Sequence, residues 1–440
     1  MKKTAAVVNL GCPKNQVDSE IISGLLGTQF DMTDDPASAH VIIVNTCGFI
    51  EEAKAESIDA LCEMINYKNN CRCEKVYAVG CLAQRYGKDL FKELPELDGV
   101  LGDGDLDKIL NDVAGTEERV FRNKKHQDFL YSHDMPRLRM SPPYFAYVKI
   151  ADGCDNCCSY CAIPQIKGKY RSRSMESITE EVKRLADEGV KEIALIAQDT
   201  TRYGLDLYGR IRLPELIRGL AAIDGIQWIR LMYCYPEAFS QELIDLIAGE
   251  PKLCKYVDLP LQHGDNDILA CMNRRNTAEE AEDLIAKLRE AIPYIFIRSS
   301  FITGFPGETE EQFNNLLNFV QRIKLDRIGV FAYSQEEGTP AGRMKNQLPL
   351  EVRESRKERL MAAQAGIAES IQQKRIGQVI RVILEEETAP EQWTGRTEGD
   401  APEIDGQIYL KVFGKHTAGD ILQTTITKAD SYDMGGESLE

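Results

Sequence analysis

The chain has 440 residues, 43% of them hydrophobic, and a formal net charge of −17. That length exceeds one ordinary domain, and no run of eighteen apolar residues exists, so two or three domains and no membrane span are expected. Thirteen scattered cysteines argue against a disulfide-framed secreted scaffold and for metal-binding thiols in a reducing, cytoplasmic setting; the acidic balance argues against a nonspecific grip on nucleic acid.

The start, Met1-Lys2-Lys3 and then Ala5 to Leu10, is too short and too polar at Asn9 for a signal segment and reads as a buried first strand. Residues 1–135 hold three such runs, Ala5–Leu10, Val41–Val44 and Val76–Val79. Helical patterns separate them over Asn15–Leu26, Glu51–Tyr67 and Leu82–Leu94. Strand and helix in this rhythm predict an α/β, doubly wound N-terminal domain. Each strand runs into a cysteine, Cys12, Cys47 or Cys81. Parallel strands present their carboxyl ends along one edge, where such folds bind ligands, so the three thiols should converge. Three thiolates suit a cluster with one open iron. Gly11, Gly48 and Gly80 beside them let the backbone approach a bulky group. The plainer alternative is chance, because small residues favour strand ends. Cys62, Cys71 and Cys73 carry less weight, as a helix residue and two loop thiols.

Pro136 to Pro143, with three prolines, Arg137 and Arg139, reads as a linker. Six strand candidates follow within residues 136–374: Phe145–Ile150, Glu192–Ala197, Trp228–Tyr233, Tyr256–Leu259, Ile295–Ile302 and Ile328–Tyr333. With helical stretches between them they predict a partial (β/α)6 TIM-like barrel whose chemistry sits at the carboxyl-terminal face. After the first strand comes Cys154-x3-Cys158-x2-Cys161. Short spacings let one loop wrap one iron–sulfur cluster, and three cysteines leave one iron of a 4Fe-4S cubane open. Structural zinc wants four N/S ligands, and no His or fourth Cys follows within about 70 residues; Cys157 fits as a bystander. This spacing resembles the signature of the radical S-adenosylmethionine (SAM) enzymes, in which the open iron chelates SAM and one electron releases a 5′-deoxyadenosyl radical. Strand-end residues then become candidates for SAM: Gln198, Gln262, Arg298, Ser300, Gly304 and Gly307, with Asp199 and His263 beside them. Leu350–Lys374 reads as a connecting helix with a solvated, charged face.

Residues 375–440 carry three alternating strands, Val379–Leu384, Ile408–Val412 and Leu422–Ile426, and predict a small C-terminal antiparallel β-barrel. From Ile376 on, five Lys and Arg face thirteen Asp and Glu, a net of −8, which is unusual for a barrel that grips RNA. Glu385, Glu386, Glu387, Asp400, Glu403 and Asp405 are candidates for steering a basic partner.

Leu10-Gly11-Cys12-Pro13-Lys14-Asn15-Gln16-Val17-Asp18-Ser19-Glu20, Asn45-Thr46-Cys47-Gly48-Phe49-Ile50 and Gly80-Cys81-Leu82-Ala83-Gln84-Arg85-Tyr86 resemble the amino-terminal domain of the methylthiotransferases. The central triad, Gly304–Glu308 and the terminal barrel, called TRAM in that family, extend the likeness to nearly the whole chain. Pro13-Lys14-Asn15 resembles the RimO-type branch rather than the tRNA-modifying branch. The resemblance implies two 4Fe-4S clusters, one on Cys12, Cys47 and Cys81 and one on Cys154, Cys158 and Cys161, with SAM as methyl donor and radical source. It implies transfer of a methylthio group to the β-carbon of an aspartate in small-subunit ribosomal protein twelve, free or in the ribosome. A reducing partner such as a flavodoxin or ferredoxin, a monomer and a cytoplasmic enzyme are the matching expectations. Many radical SAM proteins carry Gly-Gly-Glu where this chain has Ala197-Gln198-Asp199. The competing readings are a tRNA methylthiotransferase and a multi-cluster electron carrier, though carriers use four-cysteine sites.

Overall fold

A computed structural model describes residues 2–115, 118–124 and 129–439. The first unit runs β1 (Thr4–Asn9), α1 (Pro13–Gly27), β2 (Asp31–Met32), β3 (Val41–Thr46), α2 (Glu51–Asn70), β4 (Lys75–Gly80), α3 (Cys81–Glu93), β5 (Gly99–Leu101), α4 (Ile109–Gly115) and β6 (Val120–Arg122). Its six strands are all parallel, in the order β2-β1-β3-β4-β5-β6. Alternation along β3 shows the double winding. Ile42 and Val44 pack with Leu61, Met64 and Leu90 on one face. Val41 and Ile43 pack with Ile22, Leu26 and Ile109 on the other. Three strands were expected; β2, β5 and β6 span two or three residues each, too few to carry a periodic signal.

The middle unit runs β7 (Phe145–Lys149), β8 (Ala151–Asp152), α5 (Ile163–Ile166), β9 (Arg171–Ser172), α6 (Met175–Asp187), β10 (Glu192–Ile196), α7 (Leu205–Tyr208), α8 (Leu213–Ala221), β11 (Trp228–Leu231), α9 (Gln241–Gly249), β12 (Tyr256–Asp258), α10 (Asn266–Cys271), α11 (Ala278–Ala291), β13 (Phe296–Thr303), α12 (Glu310–Ile323) and β14 (Arg327–Ala332). All six expected strands are present, paired in parallel as β7-β10-β11 and β12-β13-β14. The two halves meet through an Ile229–Leu253 bridge and a bond from Cys234 N to Asp258 O. Among the described residues β7 and β14 do not pair, so the barrel is open. Val148, Leu195, Leu231 and Ile297 point outward onto the helices. Phe145, Tyr147, Trp228, Tyr256 and Phe296 fill the interior, closed from below by Ile383 and Ala401 of the third unit.

Helix α13 (Leu350–Gln373) leads to β15 (Val379–Ala389), β16 (Gln392–Thr397), β17 (Ile408–Lys411), β18 (Ile421–Ala429) and β19 (Met434–Ser438), which close a barrel. Four of its joins are antiparallel and β17–β19 is parallel. Three strands were expected there; Gln392-Trp393-Thr394-Gly395-Arg396-Thr397 is mostly polar and escapes a hydrophobic pattern. The charges of α13 are not wholly solvated. Arg356 is buried and its Nη1 donates to Glu308 Oε1 at 2.7 Å.

Three features lock the units together. Helix α1 is buried on nearly all sides, with Val17 and Ile21 in the barrel core and Ile22 and Leu26 in the sheet core. The linker's Arg137 is buried and donates to Glu20 of α1 at 2.7 Å and to Glu181 of α6 at 2.6 Å. At the barrel floor Arg396 reaches Glu192 at 2.8 Å, Arg327 reaches Asp400 at 3.0 Å and Arg298 reaches Asp405 at 3.4 Å. This corrects the steering set: Asp400 and Asp405 are buried ion-pair partners and Glu385 is held by Arg396 at 2.6 Å, which leaves Glu386, Glu387 and Glu403 exposed.

Candidate active site

The loop after β8 carries Cys154, Cys158 and Cys161 at the carboxyl-terminal mouth of the barrel. Gly153 opens it with φ +82, and a Cβ there would strike the Lys169 carbonyl, so the turn requires glycine. Cys154 N donates to Gly168 O at 3.1 Å, Cys161 N to Cys158 O at 3.0 Å, and Ser159 Oγ to Cys271 O at 2.7 Å, which stitches the loop to α10. Cys154 and Cys158 are buried, whereas Cys157 is exposed. Burial pushes the Cys154 thiol up to about 12 and raises Cys161 further, with the neighbouring thiols adding to the effect. Arg274 Nη1 lies 3.9 Å from Cys158 Sγ, a fixed positive charge beside this triad.

The second triad forms where three parallel strands end. Cys12 precedes α1, Cys47 follows β3 and Cys81 opens α3. A Cβ on Gly11, at φ +92, would lie 2.9 Å from Cys47 Cβ and 3.0 Å from its Sγ. Asn15 ties the three ends together: its Nδ2 donates to Leu10 O at 3.0 Å and Thr46 O at 3.2 Å, and its Oδ1 lies 3.6 Å from Cys81 Sγ. Ser57 Oγ accepts from Cys47 N and donates to Cys47 O, both at 2.9 Å. Burial raises Cys47 and, more strongly, Cys81. Cys81 packs on Ala162 and Ile166, so this triad adjoins the residue that follows Cys161.

All thirteen cysteines are free thiols. Among the described residues no three His, Cys, Asp or Glu side chains close on a single metal ion. A 4Fe-4S cubane sets its thiolate ligands on different irons, so its sulfurs stand farther apart than those around one ion. Two glycine-lined, mostly buried three-thiol cradles fit a cluster with an open iron, with the exposed Cys157 beside the first of them.

A buried cluster of charged side chains lies beside the Cys81 end of the second triad. Lys149 pairs with Asp18 and, at 3.4 Å, with Asp152. Lys167 reaches Asp103 at 2.5 Å, Asp18 at 3.2 Å and Asp152 at 3.9 Å. Lys14 of α1 enters beside them, with Nζ 3.0 Å above the Tyr233 ring centroid. Burial lowers its pKa, against the opposing charges of Cys12, Asp258 and Asp152. Tyr233 (φ +59), Gln262 (φ +73) and Cys157 (φ +52) hold left-handed backbone at this mouth, a strain that gathers at functional sites.

The candidate SAM residues divide. Gln198 Nε2 donates to Asp152 Oδ1 at 2.8 Å, and its buried Oε1 has no partner among the described residues. Gln262 is buried and Ser300 half-buried, and Gln262 N donates to Ser300 O at 2.8 Å. Arg298 is held by Asp258 at 3.0 Å and by Asp405. Gly304 abuts Arg353 of α13 and its N–H donates to Glu308 Oε2 at 2.9 Å; Gly307 N–H donates to Asn346 O at 2.8 Å. Asp199 accepts from Thr201 at 2.6 Å and Asn156 at 2.8 Å, and burial raises its pKa. His263 Nδ1 accepts from Asp265 N at 3.0 Å, which leaves Nε2 to face Glu308 at 3.4 Å. Sequence reasoning missed Lys14, Asp18, Asp103, Lys149, Asp152, Lys167 and Arg274. Lys14 and Asp18 in the first helix and Lys149 in the first barrel strand are polar residues in buried elements; Asp103, Asp152, Lys167 and Arg274 lie outside those elements and carried no such signal.

Comparison with known proteins gives three family matches: the radical SAM superfamily over residues 148–320, "Uncharacterized protein family UPF0004" over residues 4–102, and the TRAM domain over residues 376–439. Proteins named ribosomal protein uS12 methylthiotransferase RimO match along the full chain. That of Desulfitobacterium hafniense (strain Y51) is 52% identical and aligns over 100% of this chain and 99% of its own. That of Clostridioides difficile (strain 630) is 45% identical over 99% and 98%. Among solved structures, the radical SAM methyltransferase TsrM of Kitasatospora setae, with tryptophan and a SAM analogue bound, superposes with a TM-score of 0.58 at 14% identity over 83% of this chain and 89% of that one. At that identity the likeness is one of fold.

Proposed function

This chain belongs to the ribosomal protein uS12 methylthiotransferase family, and from that premise we propose how its two thiol triads divide the work. The enzyme is a radical SAM methylthiotransferase acting on ribosomal protein uS12. In our reading Cys154, Cys158 and Cys161 hold the 4Fe-4S cluster that the superfamily implies, and Cys12, Cys47 and Cys81 hold a second. The acceptor is the β-carbon of an aspartate. When bound, the clusters supply an open iron that chelates SAM for reductive cleavage on one side and a seat for sulfur on the other.

The observation that carries this division is the packing of Cys81 on Ala162 and Ile166. It supports two neighbouring cradles, in which a carbon activated at one would lie close to the other. The chain's own groups hold that geometry. Asp18, Asp103 and Asp152 clamp Lys149 and Lys167 and so fix α1 against the barrel. Gln198 Oε1, oriented through Asp152, accepts from the ammonium of SAM, with Gln262 and Ser300 nearby. Gly304 and Gly307 shape the turn that carries Glu308. Domains of 1–135, 136–374 and 375–440 follow the linker at Pro136–Pro143 and the end of α13. No helix among the described residues is long and apolar enough to cross a membrane. A monomeric cytoplasmic enzyme, reduced by a flavodoxin- or ferredoxin-like donor, completes the reading.

Mass spectrometry of uS12 and of tRNA from the host, with and without the gene, tests it. The methylthio group should vanish from a uS12 aspartate and tRNA should not change. A loss confined to tRNA would refute the reading.

A further inference from the structure

Lys14 stands apart from the other buried cations of the site. Its residue is only 8% exposed, yet among the described residues its Nζ has no hydrogen-bond acceptor and no ion-pair partner, only the face of the Tyr233 ring. Lys149, Lys167 and Arg298 are all paired with carboxylates. The Cys12 thiol of the neighbouring cradle is the first opposing charge on Lys14, and the two carboxylates that follow it are already engaged. Asp152 serves Lys149, Lys167, Gln198 and Gly153 N, and Asp258 serves Arg298 and Tyr233 N. A ring face occupies none of the three ammonium N–H donors, so they stay available to a ligand. The position therefore suits an anionic acceptor that arrives from outside.

We propose that Lys14 Nζ binds the carboxylate of the target aspartate of uS12 and is thereby a specificity-determining residue. The inference rests on the uS12 aspartate reading above. Lys14 lies two residues beyond Cys12, at the start of α1, on the side of the cavity assigned to sulfur. In an aspartate the β-carbon is bonded directly to the carboxylate carbon, so gripping the carboxylate fixes the carbon to be sulfurated. Tyr233 sets the height of the ammonium, its left-handed backbone turning the ring beneath Lys14. An asparagine in place of the aspartate would offer a neutral amide, a weaker acceptor for the ammonium.

SAM also carries a carboxylate, so the test separates the two sources. Binding of host uS12, and of uS12 with the modified aspartate changed to asparagine, is measured on the cluster-loaded enzyme and on its Lys14→Met and Lys14→Arg variants. SAM affinity is measured on each. The unaltered enzyme should prefer the aspartate form by about 10- to 100-fold, as expected for a charge-assisted hydrogen bond. Lys14→Met should bind both forms alike, Lys14→Arg should keep part of the preference, and SAM affinity should hold in both. Equal binding of the two forms by the unaltered enzyme would overturn the proposal without any variant. Undiminished preference in Lys14→Met, or loss of SAM affinity with the preference intact, would also overturn it. If the unaltered enzyme binds uS12 not at all, the substrate reading itself falls.

Discussion

Lys167, in the loop that follows the barrel cysteines, places its Nζ 2.5 Å from Asp103 Oδ1 of the N-terminal sheet domain. Both side chains are buried, and burial lets their attraction act unscreened. Breaking one half of such a pair leaves the other charge uncompensated. Lys167→Met should therefore destabilise the protein by about 3–5 kcal/mol, read as a drop in the denaturant midpoint. Asp103→Asn combined with Lys167→Met should recover part of the loss, because the stranded carboxylate is gone. A single variant as stable as the parent would refute the clamp.

The same cluster carries a pH signature. Asp18, Asp103 and Asp152 share Lys149 and Lys167, with Lys14 close by. The two lysines overcome burial and hold Asp152 below its ordinary range. Burial raises Asp103 from 3.8 to about 6, with Lys167 opposing and Asp18 adding to the rise. Between those values the folded state keeps a proton that the unfolded chain has released. Stability contributed by this group is thus full at low pH and lost as pH rises through that window. Asp103→Asn removes the titration. The stability of the parent relative to the variant should fall by on the order of 1–3 kcal/mol across it, and stay flat above. A difference that rises with pH instead would contradict a raised Asp103.

Gly11 tests the second cradle with one atom. A Cβ there would press on Cys47, and φ +92 disfavours any side chain. Gly11→Ala should lose the iron held near Cys12, Cys47 and Cys81 and keep the rest, so total iron falls by about half if the clusters are ligated separately. Unchanged iron content would show that Cys47 does not bind there.

Glu386, Glu387 and Glu403 are the exposed members of the acidic set on the terminal barrel. Changing all three to Lys should slow association with basic uS12 at low ionic strength. The gap should close as salt rises, because screening shortens the reach of exposed charges. An association rate unaffected at low salt would confine these residues to keeping the barrel soluble.

Much of this architecture was legible in the sequence because buried parallel strands announce themselves as apolar runs. Val41–Thr46 and the six barrel strands lie within a residue or two of their expected ends. Cysteines at strand ends were legible for the same reason, since parallel topology gathers those ends. The buried charged cluster beside Cys81 was not. Asp18 meets Lys149 and Lys167 across more than a hundred residues, and no local periodicity encodes such a meeting. Arg137, in a proline-rich linker, gave no sign of its burial between Glu20 and Glu181. Asp400 and Asp405 likewise read as surface charges until the barrel floor supplied Arg327 and Arg298.

Replacing Cys12, Cys47 and Cys81 together by alanine tests the division of labour most directly. The parent protein, loaded anaerobically, should hold about eight irons per chain. The triple variant should hold about half, still cleave SAM reductively, and transfer no methylthio group to uS12. Methylthiolated uS12 formed by that variant would contradict the account.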